Sequence, residues 1–254
     1  MIRHSRDGIE WLEFENLAEE KEITHRVYLR KGGFGTGAYE EFNLSETVDP
    51  ESYHANIEKL RRGEEISHLF RPEMAHGADV VQISSIDDKV SEPCDGLLTD
   101  LQGVGLLSSH ADCQIALMYD PVNRAIANIH CGWRGNVQKI YSKSVISMRE
   151  KYGTKPENLL VGITPSLGPD YSEFINYKKE FPESFLAFRK GENKFDLWAI
   201  AESELLGLGI LPHHLEIASV CTYSHPEDFF SYRRDKITGR NGTLIYLKNS
   251  VRFE

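Results

Sequence analysis

The stretch that most constrains this chain runs over residues 110–136, HADCQIALMYDPVNRAIANIHCGWRGN. Residues 114–119 and 124–129 are short, mostly apolar and rich in strand-forming side chains. Asp120, Pro121, Val122 and Asn123 lie between them, so the pattern predicts a hairpin with a four-residue loop. Cys113 then opens one strand and His130 closes its neighbour, and in an antiparallel pair those positions share one end. After His130, Cys131-Gly132-Trp133-Arg134-Gly135 leads into a segment whose apolar residues Val137, Ile140, Tyr141, Val145 and Met148 have helical spacing. A Gly-bearing turn with an Arg, opening a helix, offers N–H groups and a cation to an anionic ligand.

No linker divides the 254 residues, so residues 1–254 are expected to form a single catalytic domain. A net charge of -10 argues against a nucleic-acid-binding surface while leaving room for a local phosphate pocket. The N-terminal stretch is charged throughout, and no apolar run approaches a membrane span. The expected location is therefore cytoplasmic. Cys94, Cys113, Cys131 and Cys221 form no Cys-x-x-Cys pair and are too sparse for a disulfide framework, leaving reduced thiols or metal ligands.

Along the chain, two strands are expected within residues 8–29, followed by a Gly-rich loop at 30–37 that does not match a dinucleotide fingerprint. Asp49 and Pro50 predict the start of a packing helix that presents Tyr53, Ile57 and Leu60. Strands are expected at 80–86, 97–99, 104–107, 159–163, 215–221, 229–232 and 243–247, with helical runs at 178–188 and 196–208. The mixture predicts one α/β sandwich with mixed sheets at its centre and helices outside.

His76, Cys113 and His130 make a candidate His2Cys metal set, in which three protein ligands leave a fourth position for water or substrate, as in catalytic zinc. Zinc so held lowers the pKa of a bound water toward ~7. Each residue also has an ordinary reading: His76 as a hydrogen-bonded histidine, Cys113 as a small buried side chain. A metal-free alternative makes Cys113 the nucleophile and His130 its base. His110 stands close enough in sequence to serve either scheme. Arg134 is a candidate phosphate ligand, Arg30 beside the Gly-rich loop a second. For Arg233 and Arg234 a solvated edge or a salt-bridged turn is the expected role, and for Trp133 a place in the core, with stacking on a purine as the alternative.

Taken together, His76-Gly77-Ala78-Asp79-Val80, Asp95-Gly-Leu-Leu-Thr99, Ala111-Asp112-Cys113 with Tyr119-Asp120-Pro121, His130-x-Gly132-Trp133-Arg134-Gly135 and Phe229-Phe-Ser-Tyr-Arg-Arg-Asp235 resemble one family in order and spacing. It is the purine nucleoside phosphorylase family formerly labelled multicopper polyphenol oxidoreductase, or laccase-domain protein. The resemblance implies a four-layer α/β/β/α sandwich similar to cysteine-hydrolase-like folds, and zinc held by His76, Cys113 and His130. It also implies phosphorolysis of adenosine, inosine and methylthioadenosine, with purine nucleosides and phosphate as partners and adenosine deamination as a further activity. For deamination, Asp112 is the expected proton shuttle. The family also resembles peptidoglycan-editing factors, so the alternative is an amide hydrolase using the same metal or the Cys113 thiolate. A non-enzymatic zinc-binding protein, with His110 or Cys131 as fourth ligand, is a third reading. His110 and Cys131 both depart from the family pattern, standing where Thr and Ala are usual. The laccase label itself fits poorly, because such oxidases need a second, trinuclear copper cluster fed by paired histidines, and no His-x-His occurs here.

Overall fold

A computed structural model describes residues 1–249. Its strands are β1 (Ile2–Arg6), β2 (Ile9–Glu13), β3 (Ile23–Tyr28), β4 (His68–Phe70), β5 (Val80–Gln82), β6 (Gly96–Thr99), β7 (Val104–His110), β8 (Gln114–Asp120), β9 (Ala125–Cys131), β10 (Leu160–Ile163), β11 (Arg189–Lys190), β12 (Lys194–Phe195), β13 (Leu215–Ile217) and β14 (Asn241–Leu247). The helices are α1 (Glu15–Ala18), α2 (Pro50–Gly63), α3 (Trp133–Val137), α4 (Ile140–Tyr152), α5 (Tyr177–Glu180), α6 (Leu197–Gly207) and α7 (Tyr232–Asp235). Two mixed six-stranded sheets form, in the orders β1-β2-β3-β14-β7-β4 and β13-β10-β8-β9-β6-β5.

Strand alternation sorts the apolar residues into layers. Val104 and Leu106 of β7, Ile245 and Leu247 of β14, and Ile115, Leu117 and Ile126 of β8 and β9 fill the space between the sheets. On the outer face of the first sheet, Leu107, Leu244 and Tyr246 pack with Tyr53, Ile57 and Leu60 of α2. Ala116, Ala127 and Ile129, on the outer face of the second, pack with Tyr141, Val145 and Met148 of α4 and Leu205 of α6. The order is helix, sheet, sheet, helix, as the family resemblance implied.

Local chemistry fixes the helix ends. Asp49 caps α2 by accepting from Ser52 N–H, with Pro50 in the first turn. Asp196 caps α6 through Ala199 N–H, and Gly153 ends α4 in the left-handed region. Several boundaries differ from expectation. An additional strand, β1, precedes the first expected one, and α1 interrupts residues 8–29. The run 178–188 is broken into α5 and a 3-10 turn at Glu183–Phe188, because Pro182 cannot continue an α-helix. The strand expected at 80–86 ends at Gln82, where the chain turns and Asp88 accepts from Ser84 and Ser85 N–H. The one expected at 215–221 ends at Ile217, just before Ser219 at φ 51°. No strand forms at 229–232: Ser231 accepts from Arg234 N–H and so starts α7.

Candidate active site

The hairpin forms as expected, with its four-residue loop displaced by one position, to residues 121–124 in place of 120–123. Tyr119 faces Ile126, Asp120 faces Ala125, and at the other end Ile115 faces His130 and Gln114 faces Cys131. Asp120 Oδ1 closes the loop by accepting from Val122 and Asn123 N–H. Cys113 and His130 therefore meet, and His76 reaches them from the loop before β5. The ligating atoms of His76, Cys113 and His130 all lie within 4.8 Å of one another. The two imidazoles stand edge to face with centroids 5.0 Å apart.

Asp95, immediately before β6, organises this cluster. Its Oδ1 accepts from His130 Nδ1–H at 2.8 Å and from His76 N–H at 2.9 Å. Its Oδ2 accepts from Gly77 N–H at 2.6 Å, and its carbonyl accepts from His130 N–H at 2.7 Å. One carboxylate thus fixes the ring of one ligand and the backbone of another, holding His76 at a φ of 56°. Burial by itself would raise the Asp95 carboxyl, but the hydrogen bonds from His130, Gly77 and His76 hold it below its ordinary value. Burial likewise opposes charge on Cys113 and His130. Their mutual attraction, with the His76 contact to Cys113 and the Asp95 contact to His130, outweighs it: the thiol goes down and the imidazole goes up. The contacts of Cys113 with His130 and His76 both favour the thiolate, the form of cysteine that binds a cation.

Gly132 closes the cluster from behind. A methyl group on its Cα would lie 3.2 Å from His76 Cδ2 and 3.3 Å from Cys113 Sγ. A side chain there would need His76 or Cys113 to give way by a few tenths of an ångström, so glycine suits a backbone that passes this near the donors. The donor set of one thiol and two imidazoles, with an orienting carboxylate on one of them, fits a divalent metal ion.

His110 and Cys131 stay outside the cluster. Cys131 is buried on the outer face of its sheet with α4, and burial holds its thiol well above the ordinary value. His110 is 2% exposed, donates Nδ1–H to the Cys113 carbonyl at 2.7 Å, and is pushed down by burial to about 3.

The cluster borders a cleft of about 860 Å³ at the end of the sandwich where β7 hands over to β8. Arg71, Arg134, Arg233 and Arg240 line it. Arg134 is exposed, lies over the Trp133 ring at 4.3 Å, and its guanidinium makes no ion pair or hydrogen bond among the described residues. Arg240 was not singled out from the sequence, nor was Arg71; neither lies in a motif that marks it. Asp112 also lines the cleft, but both its oxygens are engaged, by the Thr222 hydroxyl at 2.6 Å and by Arg233 N–H at 2.6 Å. Arg30 is not brought to the cleft: its guanidinium donates to the Pro226 and Glu40 carbonyls and lies over Phe230. Arg234 does form the expected salt-bridged turn with Asp235, at 2.8 Å. Trp133 packs with Phe174 and Phe181 and also faces the cleft.

Residues 24–248 match the family described as multi-copper polyphenol oxidoreductase laccase, and the chain belongs to that family. Among relatives, it is 31% identical to a purine nucleoside phosphorylase of Bacteroides thetaiotaomicron, over 92% of this chain and 96% of that one. It is 28% identical to purine nucleoside phosphorylase YfiH of Escherichia coli, over 86% of this chain and 91% of that one. The structure of YlmD from Geobacillus stearothermophilus superposes with a TM-score of 0.85 at 24% identity, covering 97% of this chain and 98% of that one. Despite the family's description, the described residues bring together three donors at one place, which is short of a multicopper centre. No helix among them is long and apolar enough to cross a membrane.

Proposed function

We propose that this chain is a zinc-dependent purine nucleoside phosphorylase acting on adenosine, inosine and methylthioadenosine, with adenosine deamination as a further activity. The observation that carries this reading is the convergence of His76, Cys113 and His130 beside an arginine-lined cleft. Relatives named purine nucleoside phosphorylase support it.

In phosphorolysis the bond between the anomeric carbon and the base nitrogen breaks, its electron pair leaving with the base. A phosphate oxygen then bonds to the anomeric carbon and the base takes up a proton. The protein must hold phosphate beside the sugar while positive charge develops there. Arg134, unpaired and on the rim, is the residue we assign to phosphate, with Arg240 in the place foreseen for Arg30. Trp133, Phe174 and Leu197 give the purine an apolar wall. Asp112, foreseen as a proton shuttle, acts in this scheme through the backbone of Arg233, which it anchors. Bound by His76, Cys113 and His130, zinc would supply a Lewis acid beside the cleft.

Incubation of the purified protein with adenosine, with and without phosphate, followed by chromatography of the products, tests the reading. Adenine and ribose 1-phosphate formed only with phosphate, together with inosine, are the expected products. Neither free base nor inosine would reject it. A second reading, amide hydrolysis by a Cys113 thiolate, is favoured by the placement of the Cys113 thiol and the His130 imidazole within 4.8 Å of each other. It predicts phosphate-independent release of an amino acid that survives removal of the metal.

A further inference from the structure

The cleft has two chemically different walls. On the side of the second sheet stand Trp133, Phe174, Leu167 and Leu197; on the side of the first stand Ser45, Thr47, Arg71, Ser109, His110 and Arg240. On the polar wall His110 is a buried residue, 2% exposed. It ends β7, and since Val104 and Leu106 point between the sheets, alternation sends its side chain the same way, toward His130.

The hydrogen bonding of the ring fixes its tautomer. The Cys113 carbonyl can only accept, so Nδ1 carries the proton and Nε2 presents a lone pair. That Nε2 is shielded from solvent and has no hydrogen-bond partner. A buried acceptor left unmet is costly, and on a residue that lines the cleft it points to a donor arriving with a ligand.

We infer that His110 Nε2 accepts a hydrogen bond from a sugar hydroxyl of the bound nucleoside, which makes His110 a determinant of sugar specificity. The inference rests on the nucleoside reading above and extends it. The purine is drawn to the opposite, apolar wall, which leaves the sugar on the side of His110. Phosphate, an anion with mostly acceptor oxygens, is better met by the cleft arginines, which supply donors and positive charge.

Calorimetric binding of adenosine and of its 2′-, 3′- and 5′-deoxy analogues, to the wild-type chain and to His110→Phe, tests this, with thermal unfolding as a check on folding. The wild type is expected to bind one of the three analogues about tenfold more weakly than adenosine. His110→Phe is expected to bind adenosine about tenfold more weakly and that analogue unchanged, so that the preference disappears. His110→Thr carries the same comparison if the Phe variant does not fold. Equal binding of adenosine and all three analogues by the wild type, or a preference that persists in a folded variant, overturns the inference alone. No binding of any nucleoside to the wild type overturns it together with the nucleoside reading.

Discussion

Asp95 and His130 are joined at 2.8 Å through Oδ1 and Nδ1–H, both side chains almost wholly buried, and this contact turns the other ring nitrogen of His130 toward Cys113. A carboxylate behind a metal-binding imidazole fixes the ring and raises its basicity. Asp95→Asn is therefore expected to weaken metal retention roughly 10–100-fold while leaving the fold intact. Competition with a chelator measures it; retention equal to the wild type would remove Asp95 from the account.

Gly132 makes a sharper steric demand. In Gly132→Ala the new methyl meets His76 and Cys113 at little over 3 Å, with the backbone of β9 and α3 resisting retreat. A loss of about 1–3 kcal/mol in unfolding free energy is expected, with metal content reduced in parallel. Denaturant titration and metal analysis check the two effects, and a variant that keeps both at wild-type levels contradicts the packing described here.

The two neighbouring cysteines should behave oppositely. Cys113→Ala removes a donor from the cluster and is expected to lose the metal, whereas Cys131→Ala changes a buried contact on the far face of the sheet and should keep it. Elemental analysis of both variants distinguishes them. Zinc retained by Cys113→Ala would favour the thiol-nucleophile reading.

How much of this was legible in the sequence follows from the range of the interactions. The hairpin was readable because its strands and its Asp120-Pro121 turn are contiguous, and its register then placed Cys113 beside His130. His76 was named as a scattered member of the candidate metal set, but nothing local distinguishes it from other loop histidines, and the family resemblance sharpened its assignment. The role of Asp95 was hidden, being a contact across 35 positions that pairing of β6 with β9 creates. Gly132 stood in a quoted motif, but its necessity depends on how near two distant side chains come. Arg30 was misleading in the opposite way: a cation beside a glycine loop looked like a phosphate ligand, and the fold engages it with two carbonyls instead. The aromatic run 229–232 reads as a strand until the Ser231 hydroxyl is seen to cap α7.

Stability should fall in acid through His25. Burial, with Arg26 and His4 adding repulsion, pushes this residue down to about 3, and its Nε2 accepts from Phe14 N–H at 2.8 Å. Between about pH 6.5 and the native value the unfolded chain binds a proton that the folded chain refuses, so stability is lost as pH falls through that window. His25→Gln, which keeps an acceptor but cannot titrate, is expected to show a shallower decline of the melting temperature from pH 6.5 to 4. Identical slopes in the two proteins would show that other groups govern the acid limb.

Arg134 should matter for phosphate more than for nucleoside. Arg134→Gln is expected to raise the phosphate concentration for half-maximal phosphorolysis about tenfold, equivalent to about 1.4 kcal/mol, with little change for adenosine. Initial rates at varied phosphate measure this. An unchanged phosphate dependence would move the anion to another of the cleft arginines.

On the proposed function, His76, Cys113 and His130 would hold zinc through one sulfur and two imidazoles, with room left for a reactant. X-ray absorption at the zinc edge of the purified protein tests this most directly. It should show one sulfur at about 2.3 Å and two nitrogens at about 2.0–2.1 Å, completed by a light atom that is exchanged when substrate is added. Two sulfurs, or a third imidazole closing the shell, would place Cys131 or His110 on the metal and leave no position for chemistry.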